Sequence, residues 1–209
     1  MLRLISATPS PFARKVRIAL HEKGLPFELL TEVPWDKSTS TPRYNPLEKL
    51  PILILEDGST IYQSSFILEY LEWVYPRPPL MPADLDGKIA ARRLEVLCDG
   101  ICDAVVLTLF ERMRTDPSAE WLSRQRRKIE GGVREMARLF GDRPFAVGGE
   151  FSLGDVAIGT AVGYLDVRLA DFDWRGLYPD LAAFSGRIEQ RPSFATSTPF
   201  AQTISDKVV

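Results

Sequence analysis

The spacing of hydrophobic residues changes once along the chain, and this change predicts two structural regions. Before residue 76, short apolar runs of strand length alternate with segments in which apolar residues recur at helical spacing. After residue 85 only helical spacing remains, and no segment is typical of a strand. A mixed α/β region followed by an all-helical region predicts two domains.

The predicted elements follow from these periods and from the residues that begin and end them. In the first region we expect strands over Leu2–Ser6, Phe27–Leu30, Ile52–Glu56 and Thr60–Tyr62, and helices over Pro11–Lys23 and Ser65–Tyr75. In the second region we expect helices over Asp86–Arg114, Ala119–Phe140, Leu153–Leu169 and Leu181–Gln190. We expect Phe66 and Ile89 to face the core, and Pro192 to stop the last helix. The opening strand–helix–strand order implies a parallel pair with a right-handed crossover.

A proline-dense segment separates the two regions. Residues 75–82 have the sequence Tyr-Pro-Arg-Pro-Pro-Leu-Met-Pro, which excludes a helix or an inner strand because proline has no N–H to donate. Such a segment is semi-rigid and extended, as a linker is. We therefore predict a first domain at residues 1–75, a linker at 76–85 and a helical domain at 86–209.

Composition and charge exclude several classes of function. The chain has 209 residues, 45% of them hydrophobic, which is enough for a full core. A formal net charge of −2 argues against broad binding to nucleic acid or to anionic membranes. The basic run at 124–128 lies between Glu120 and Glu130 in a helical pattern, so we expect a solvated helix face. No apolar stretch is long enough to cross a membrane, and the N-terminal apolar run is too short for a signal peptide.

The two cysteines and the single histidine carry little chemistry. Cys98 and Cys102 lie one helical turn apart with no other ligand nearby, so we expect packed side chains and no metal site. His21 lies near the end of the first helix, where a surface or helix-end role is expected. Free cysteines suit a reducing compartment, and we predict a cytoplasmic protein.

Residues 45–53, followed by Gln63-Ser64, form the most informative stretch of the chain. An apolar strand that begins directly after Pro51 predicts a tight turn at Leu50-Pro51, the setting in which cis X–Pro bonds occur. Such a turn leaves the backbone N–H and C=O of Leu50 free to pair with a ligand. Gln63-Ser64 then opens a helix, whose N-terminus attracts a carboxylate. Together these features predict a site for a small extended peptide with an anionic end.

Ser10 lies between the first strand and Pro11, and two interpretations of it remain open. Serine followed by proline is the normal start of a helix, so Ser10 is a good helix cap. A hydroxyl at a helix N-terminus also donates to a bound thiolate, which the helix end stabilises. Ser10-Pro11-Phe12-Ala13 has the spacing of a Cys-x-x-Cys motif without either sulfur, so disulfide exchange is excluded there. The strand order is consistent with a thioredoxin-like fold.

Several motifs, spread over essentially the whole chain, resemble those of the glutathione transferase superfamily. They are Ser-Pro-Phe-Ala-Arg-Lys-Val at 10–16, Asn-Pro-Leu-Glu-Lys-Leu-Pro at 45–51, Gln-Ser-x-x-Ile-x-x-Tyr-Leu at 63–71, the proline linker and Ser-Leu-Gly-Asp at 152–155. The resemblance implies a thioredoxin-like N-terminal domain, a C-terminal helical bundle domain and a homodimer. For Ser152 and Asp155 we expect only a structural role, as a variant of the capping box.

The resemblance also implies a role for individual residues toward glutathione. Ser10 takes the position of the catalytic hydroxyl or cysteine, and Leu50 before Pro51 pairs its backbone with the cysteinyl part. Gln63 and Ser64 hold the γ-glutamyl end, although Gln63 stands where many bacterial relatives have Glu or Asp and so lacks their charge. The remaining implied contacts are Phe12 beside Ser10, Lys37 and Lys49 toward the glycyl carboxylate, and Asp99 toward the partner subunit's glutathione.

Three functions follow from these residues. The first is a detoxifying glutathione transferase, in which the thiolate of glutathione attacks a small electrophilic, hydrophobic substrate. We expect this substrate to bind between the domains, in a pocket lined by Tyr44, Phe110, Met113 and Tyr164. The second is a binding or interaction module that keeps the fold without catalysis. The third, a thiol–disulfide oxidoreductase, is disfavoured because no cysteine occupies the position of Ser10.

Overall fold

The computed structural model describes residues 1–209 as two compact units. The first unit comprises Met1–Leu80 and Pro192–Lys207, and the second comprises Met81–Arg191 with Val208–Val209. Residues 192–207, which the predicted boundaries assign to the helical domain, therefore cluster with the first unit. No helix of the chain combines the length and the apolar character needed to cross a bilayer.

The first unit is a four-stranded sheet with helices. Its strands are β1 (Leu2–Ser6), β2 (Phe27–Thr31), β3 (Ile52–Ile54) and β4 (Thr60–Tyr62), and its helices are α1 (Pro11–Glu22), α2 (Ser64–Val74), α8 (Pro192–Ala195) and a 3-10 turn at Thr41–Arg43. The strand order is β2-β1-β3-β4. β1 pairs parallel with β2, as the crossover argument predicts, and β3 pairs antiparallel with both β1 and β4. α1 packs against α2 and α8.

The second unit is entirely helical. It contains α3 (Leu85–Arg112), α4 (Ala119–Phe140), α5 (Leu153–Arg168), α6 (Trp174–Leu177) and α7 (Pro179–Ile188). α3 packs against α4 and α5. α5 is buried at every position from Leu153 to Leu165, which explains its lack of a polar face and confirms it as the predicted buried helix.

The start of α5 is a buried polar cluster built on Asp155. One carboxylate oxygen accepts the N–H of Ala146 at 2.8 Å, and the other accepts the N–H and the hydroxyl of Ser152 at 2.8 and 3.0 Å. Burial raises the pKa of the Asp155 carboxyl despite these hydrogen bonds, which act in the opposite direction. The predicted structural role of Ser152 and Asp155 as a capping box is confirmed.

Two details of the predicted elements are wrong, and one is incomplete. Phe66 is 45% exposed, because α2 buries the stripe formed by Ile67, Leu68 and Leu71 instead. Ile89 is 57% exposed. Pro192 begins α8 rather than only stopping a helix, since proline suits the first position of a helix. The helices α6 and α8 were not predicted, because four residues are too few to show a helical period.

Candidate functional site

The sheet of the first unit brings four chain segments to one end. β1 and β2 run parallel and both end there, with Ser6 opposite Thr31. β3 begins there and β4 ends there, since Ile52 pairs with both Ile5 and Tyr62. The segments after β1, β2 and β4, and the one before β3, therefore meet at this end, which we call the site edge. These segments carry all the predicted site residues except Asp99.

Ser10 begins α1 at the site edge. Its Oγ accepts the N–H of Ala13 at 3.2 Å, and its own N–H donates to the carbonyl of Ala7 at 3.1 Å. A serine hydroxyl has one hydrogen to donate and two lone pairs, so capping the helix leaves the donor available. Ser10 and the following Phe12 are both half-buried. A hydroxyl donor beside the free N–H groups of a helix start suits a bound thiolate.

The loop before Ser10 is supported by a buried arginine of α1. Arg17 donates from Nη2 to the carbonyl of Thr8 at 3.4 Å. Burial, together with the neighbouring charge of Arg14, lowers the pKa of Arg17 to about 10. Arg17 remains a cation at neutral pH, so its positive charge stays close to the loop that leads into α1.

The turn before β3 contains a cis peptide bond between Leu50 and Pro51. Pro51 is buried and Leu50 is partly buried, packed against the isoleucine cluster Ile5, Ile52 and Ile54. The backbone hydrogen bonds of the turns and loops do not use the N–H or the C=O of Leu50. Both groups are therefore available to pair with an extended ligand along the site edge.

Asn45 fixes the conformation of this turn. Its side chain is buried, with Nδ2 donating to the carbonyl of Lys49 at 2.8 Å and Oδ1 accepting the N–H of Leu47 at 3.0 Å. Glu48 takes a positive φ of 55° within the turn. Lys49 is left exposed directly before Leu50, so its ammonium is accessible at the site edge.

Gln63 and Ser64 follow β4 and begin α2. Gln63 has a φ of 75°, and its Oε1 accepts the N–H and the hydroxyl of Ser65 at 2.7 and 2.9 Å. A non-glycine residue in this region of φ is uncommon and is typical of functional sites. Gln63 is exposed and Ser64 is buried. The start of α2 thus presents N–H groups and an amide that suit a ligand with both a carboxylate and an amine.

Lys37 lies on the segment that leaves β2. The fold of this segment depends on Glu32, whose carboxylate accepts the N–H of Ser40 at 2.8 Å and the hydroxyls of Ser40, Thr39 and Thr41. Burial alone would raise the pKa of Glu32, but these hydrogen bonds outweigh it and lower the pKa. Lys37 is exposed. The site edge thus has two accessible lysines, Lys37 and Lys49.

The remaining predicted residues belong to both units of the chain. Asp99 is half-buried on α3 of the second unit. Of the expected substrate-lining residues, Tyr44 belongs to the first unit and Phe110, Met113 and Tyr164 belong to the second, where burial raises the pKa of Tyr164 to about 12. No group of three or more His, Cys, Asp or Glu side chains in residues 1–209 is placed to hold a metal ion.

Comparison with known proteins finds one family in both halves of the chain. The glutathione S-transferase N-terminal domain matches residues 9–73, and the C-terminal domain matches residues 119–187. A glutathione S-transferase from Methylobacterium radiotolerans, solved with glutathione sulfonate, is 66% identical and superposes with a TM-score of 0.98 over 100% of this chain and 99% of its own. One from Methylobacillus flagellatus, solved with glutathione bound, is 37% identical with a TM-score of 0.91 over 95% of this chain and 100% of its own. The GST-like protein YibF of Escherichia coli is 33% identical over 95% of this chain and 98% of its own.

The chain belongs to the glutathione transferase superfamily. The predicted family, the thioredoxin-like domain followed by a helical domain, and an enzyme of the glutathione transferase type are confirmed by these relatives. The alternative of a non-catalytic binding module is not favoured by them. The roles of single residues in this superfamily member stay predictions.

Two positions that shape the site were missed from the sequence. In the sequence Asn45 stands out only as part of a motif, and nothing marks Glu32 as part of the site. An Asn-Pro pair signals a turn, but it does not reveal that the amide will hold a carbonyl four residues later. Glu32 follows a strand and precedes a run of Ser and Thr, and only the folded loop brings their hydroxyls to its carboxylate.

Proposed function

We propose that this glutathione transferase binds glutathione along the site edge and uses Ser10 to stabilise its thiolate for attack on a small, hydrophobic electrophile. The observation that carries this proposal is the position of the Ser10 hydroxyl. It caps α1 through an accepted hydrogen bond and keeps its hydrogen for a ligand, at the edge where Leu50 and Gln63 also lie. The solved relatives with bound glutathione or its sulfonate support the same ligand.

The other contacts follow the shape of the tripeptide. The free N–H and C=O of Leu50 suit antiparallel pairing with the cysteinyl backbone. The start of α2 at Gln63 and Ser64 suits the γ-glutamyl carboxylate and ammonium, and Lys37 and Lys49 suit the glycyl carboxylate. The extended peptide would lie across Ser10 with its sulfur near the hydroxyl. Phe12, in the first turn of α1, borders this position, and Asp99 remains a proposed contact to the partner's ligand.

The gain from Ser10 comes from forming the nucleophile. A free thiol has a pKa near 8.5, so only a few per cent of it is ionised at pH 7. A charge-assisted hydrogen bond is worth roughly 1.5–3 kcal/mol, and about 1.4 kcal/mol shifts a pKa by one unit. One donated hydrogen bond therefore lowers the thiol pKa by about one to two units. The thiolate then forms the new S–C bond, and the leaving group departs with the electron pair of the bond that breaks.

Ultraviolet difference absorbance of the bound thiolate across pH tests this proposal. We expect a bound thiol with a pKa below its free value, raised by about one to two units in Ser10→Ala. Ser118→Ala is the matched control, because Ser118 caps α4 by accepting the N–H of Trp121 at the same 3.2 Å. It should cost a similar amount of stability and leave the thiol pKa unchanged. Saturable binding with an unshifted pKa in Ser10→Ala would contradict the role of Ser10, and no binding by the unaltered protein would contradict the function.

We also propose a cytoplasmic homodimer that acts in detoxification. Exposed apolar side chains support a dimer: on α2, Phe66 and Trp73 make an edge-to-face contact at 6.2 Å and are 45% and 67% exposed. On α3, Leu85, Ile89 and Val96 are 57–71% exposed. Large exposed apolar groups of this kind are typical of interfaces. The two buried cysteines form no disulfide, which suits a reducing compartment. Sedimentation equilibrium measures the dimer directly.

A further inference from the structure

Residues 200–206 run along the first unit and contact two of the segments at the site edge. The carbonyl of Phe200 accepts the hydroxyl of Thr8 at 3.4 Å, two residues before Ser10. Gln202 donates from Nε2 to the carbonyl of Glu32 at 3.3 Å. We call residues 200–206 the strap.

The strap makes its main contacts with Asp36 and Lys37. The Asp36 carboxylate accepts the N–H groups of Ser205 and Asp206 at 2.9 and 3.3 Å. The Asp206 carboxylate in turn accepts the N–H of Lys37 at 2.6 Å. Each aspartate thus accepts backbone N–H groups from the other's segment, and all three hydrogen bonds go to a carboxylate, the stronger kind.

The hydrogen bonds of Glu32 hold this segment from Thr39 onward, and the backbone at Lys37 itself has few other contacts. Asp36 is half-buried, and Lys37 and Ser38 are exposed, so apolar burial does not fix the backbone there. The local hydrogen bonds are those of Asp36 N–H to Val33 and of Thr39 N–H to Asp36. The Lys37 N–H is satisfied by the strap. The direction in which the Lys37 side chain leaves the backbone therefore depends on Asp206.

We propose that Asp206 is a positioning residue for glutathione, which acts by fixing the backbone of Lys37 so that its ammonium meets the glycyl carboxylate. This inference rests on the proposed function. The strap sets the affinity for the glycyl end of glutathione. It leaves the γ-glutamyl and cysteinyl contacts unchanged, because Gln63, Ser64 and Leu50 make those contacts.

Calorimetric titration with two ligands, glutathione and γ-glutamylcysteine, tests the proposal in the full chain. The dipeptide lacks the glycine and its carboxylate. We expect the unaltered protein to bind glutathione more tightly than the dipeptide. Asp206→Ala should weaken glutathione binding about two- to fivefold, the size of one partly exposed charge contact, and leave dipeptide binding unchanged. In turnover, the KM for glutathione should rise while kcat stays constant.

Two variants separate the effect of the Asp206–Lys37 hydrogen bond on affinity from the effect of the carboxylate's negative charge. Asp206→Asn keeps an oxygen acceptor for the Lys37 N–H and should retain most of the affinity. Asp142→Ala removes an exposed carboxylate of the second unit and should change nothing. Hydrogen exchange of the ligand-free protein gives an independent measurement, since the Lys37 amide should exchange faster in Asp206→Ala.

The outcomes distinguish this inference from the proposed function. If the unaltered protein binds neither ligand, the glutathione site itself is refuted and the inference with it. If it binds both and Asp206→Ala weakens both equally, or weakens neither, the site stands and the positioning role is refuted. Tighter glutathione binding by both Asp206→Ala and Asp206→Asn would show a charge effect and would also refute positioning.

Discussion

Lys23 and Glu72 form a buried ion pair that joins the end of α1 to α2, with Nζ and Oε1 2.6 Å apart. The Lys23 side chain is 0% exposed and that of Glu72 is 18% exposed. Nζ also donates to the carbonyls of Tyr75 and Pro78 at 2.8 and 3.0 Å, and Glu72 accepts the N–H of Leu80 at 3.1 Å. This pair therefore satisfies the backbone of the proline-dense segment as it leaves α2.

Removal of Lys23 should cost far more stability than removal of a surface cation. Lys23→Ala leaves the largely buried Glu72 carboxylate without its cation and two carbonyls without their donor, and loss of one partner of a buried pair costs about 3–5 kcal/mol. Urea unfolding monitored by fluorescence measures the change. Arg138→Ala is the control, because Arg138 is 64% exposed in its pair with Glu135, and such pairs contribute about 0–1 kcal/mol. Equal losses in the two variants would contradict a structural role for Lys23.

Replacement of Gln63 by Glu should strengthen glutathione binding. Gln63 caps α2 with one oxygen, and Glu offers that oxygen too, so the cap survives. The added negative charge lies at a helix N-terminus, where it is favourable by about 0.3–1 kcal/mol, and it can pair with the γ-glutamyl ammonium. We expect Gln63→Glu to lower the dissociation constant about three- to tenfold at low salt and less at high salt, as measured by calorimetry.

A second variant at the same position separates the cap from the ligand contact. Gln63→Ala removes the acceptor for Ser65 and should cost about 1 kcal/mol of stability as well as affinity. If Gln63→Glu stabilises the protein and leaves glutathione affinity unchanged, Gln63 only caps the helix.

Acidification should release the segment that carries Lys37, through Glu32. The hydrogen bonds that Glu32 accepts lower its pKa from an ordinary value of 4.5, so they stabilise the charged form in the folded state. Its contribution to stability is therefore present above the unfolded pKa and is lost as pH falls through the lower folded value. Urea midpoints of the unaltered protein and of Glu32→Gln should differ most at neutral pH and converge as the pH falls below the ordinary pKa value of 4.5. A difference independent of pH would contradict this assignment.

The sequence predicts the fold well where a pattern extends over many residues. α4 is found from Ala119 to Phe140 as predicted, and β1 from Leu2 to Ser6, because each has a long periodic run or a clear apolar core. The errors occur where tertiary contacts decide which side chains of an element are buried. Phe66 fits an apolar stripe as well as its neighbours do, but α2 buries Ile67, Leu68 and Leu71 and leaves Phe66 45% exposed.

The candidate site was predictable in its local parts and not in its long-range contacts. Ser10 and the Leu50-Pro51 turn have signatures within a few residues of sequence. The contact between Asp206 and Lys37 joins positions 169 residues apart, and no local pattern in the sequence marks either residue. Lys23 is similar, since a lysine at a helix end is normally exposed and only the fold shows the carboxylate and carbonyls that bury it.

Two adjacent glycines of α4 should respond in opposite directions to alanine. A Cβ at Gly132 would lie 2.6 Å from Cγ1 and 3.1 Å from Cδ1 of Ile101 on α3, closer than real contacts allow. A Cβ at Gly131 would meet nothing nearer than Arg134, at 3.9 Å. Alanine is the better helix former by about 0.8–1 kcal/mol, so Gly131→Ala should stabilise the protein by up to that amount. Gly132→Ala should destabilise it by about 1–2 kcal/mol net, because overpacking costs more than the propensity gain.

A double-mutant cycle with Ile101 tests whether the close approach of α3 and α4 is the cause. Ile101→Ala alone opens a cavity and should cost about 2–5 kcal/mol. In that background the clash is absent, so adding Gly132→Ala should become neutral or stabilising, with a coupling of about 1–3 kcal/mol in urea unfolding. Gly131→Ala should have the same effect in both backgrounds, because its Cβ does not meet Ile101. If Gly132→Ala costs the same with and without the isoleucine, the close spacing between α3 and α4 is not what requires glycine at this position, and backbone geometry within α4 must be responsible instead.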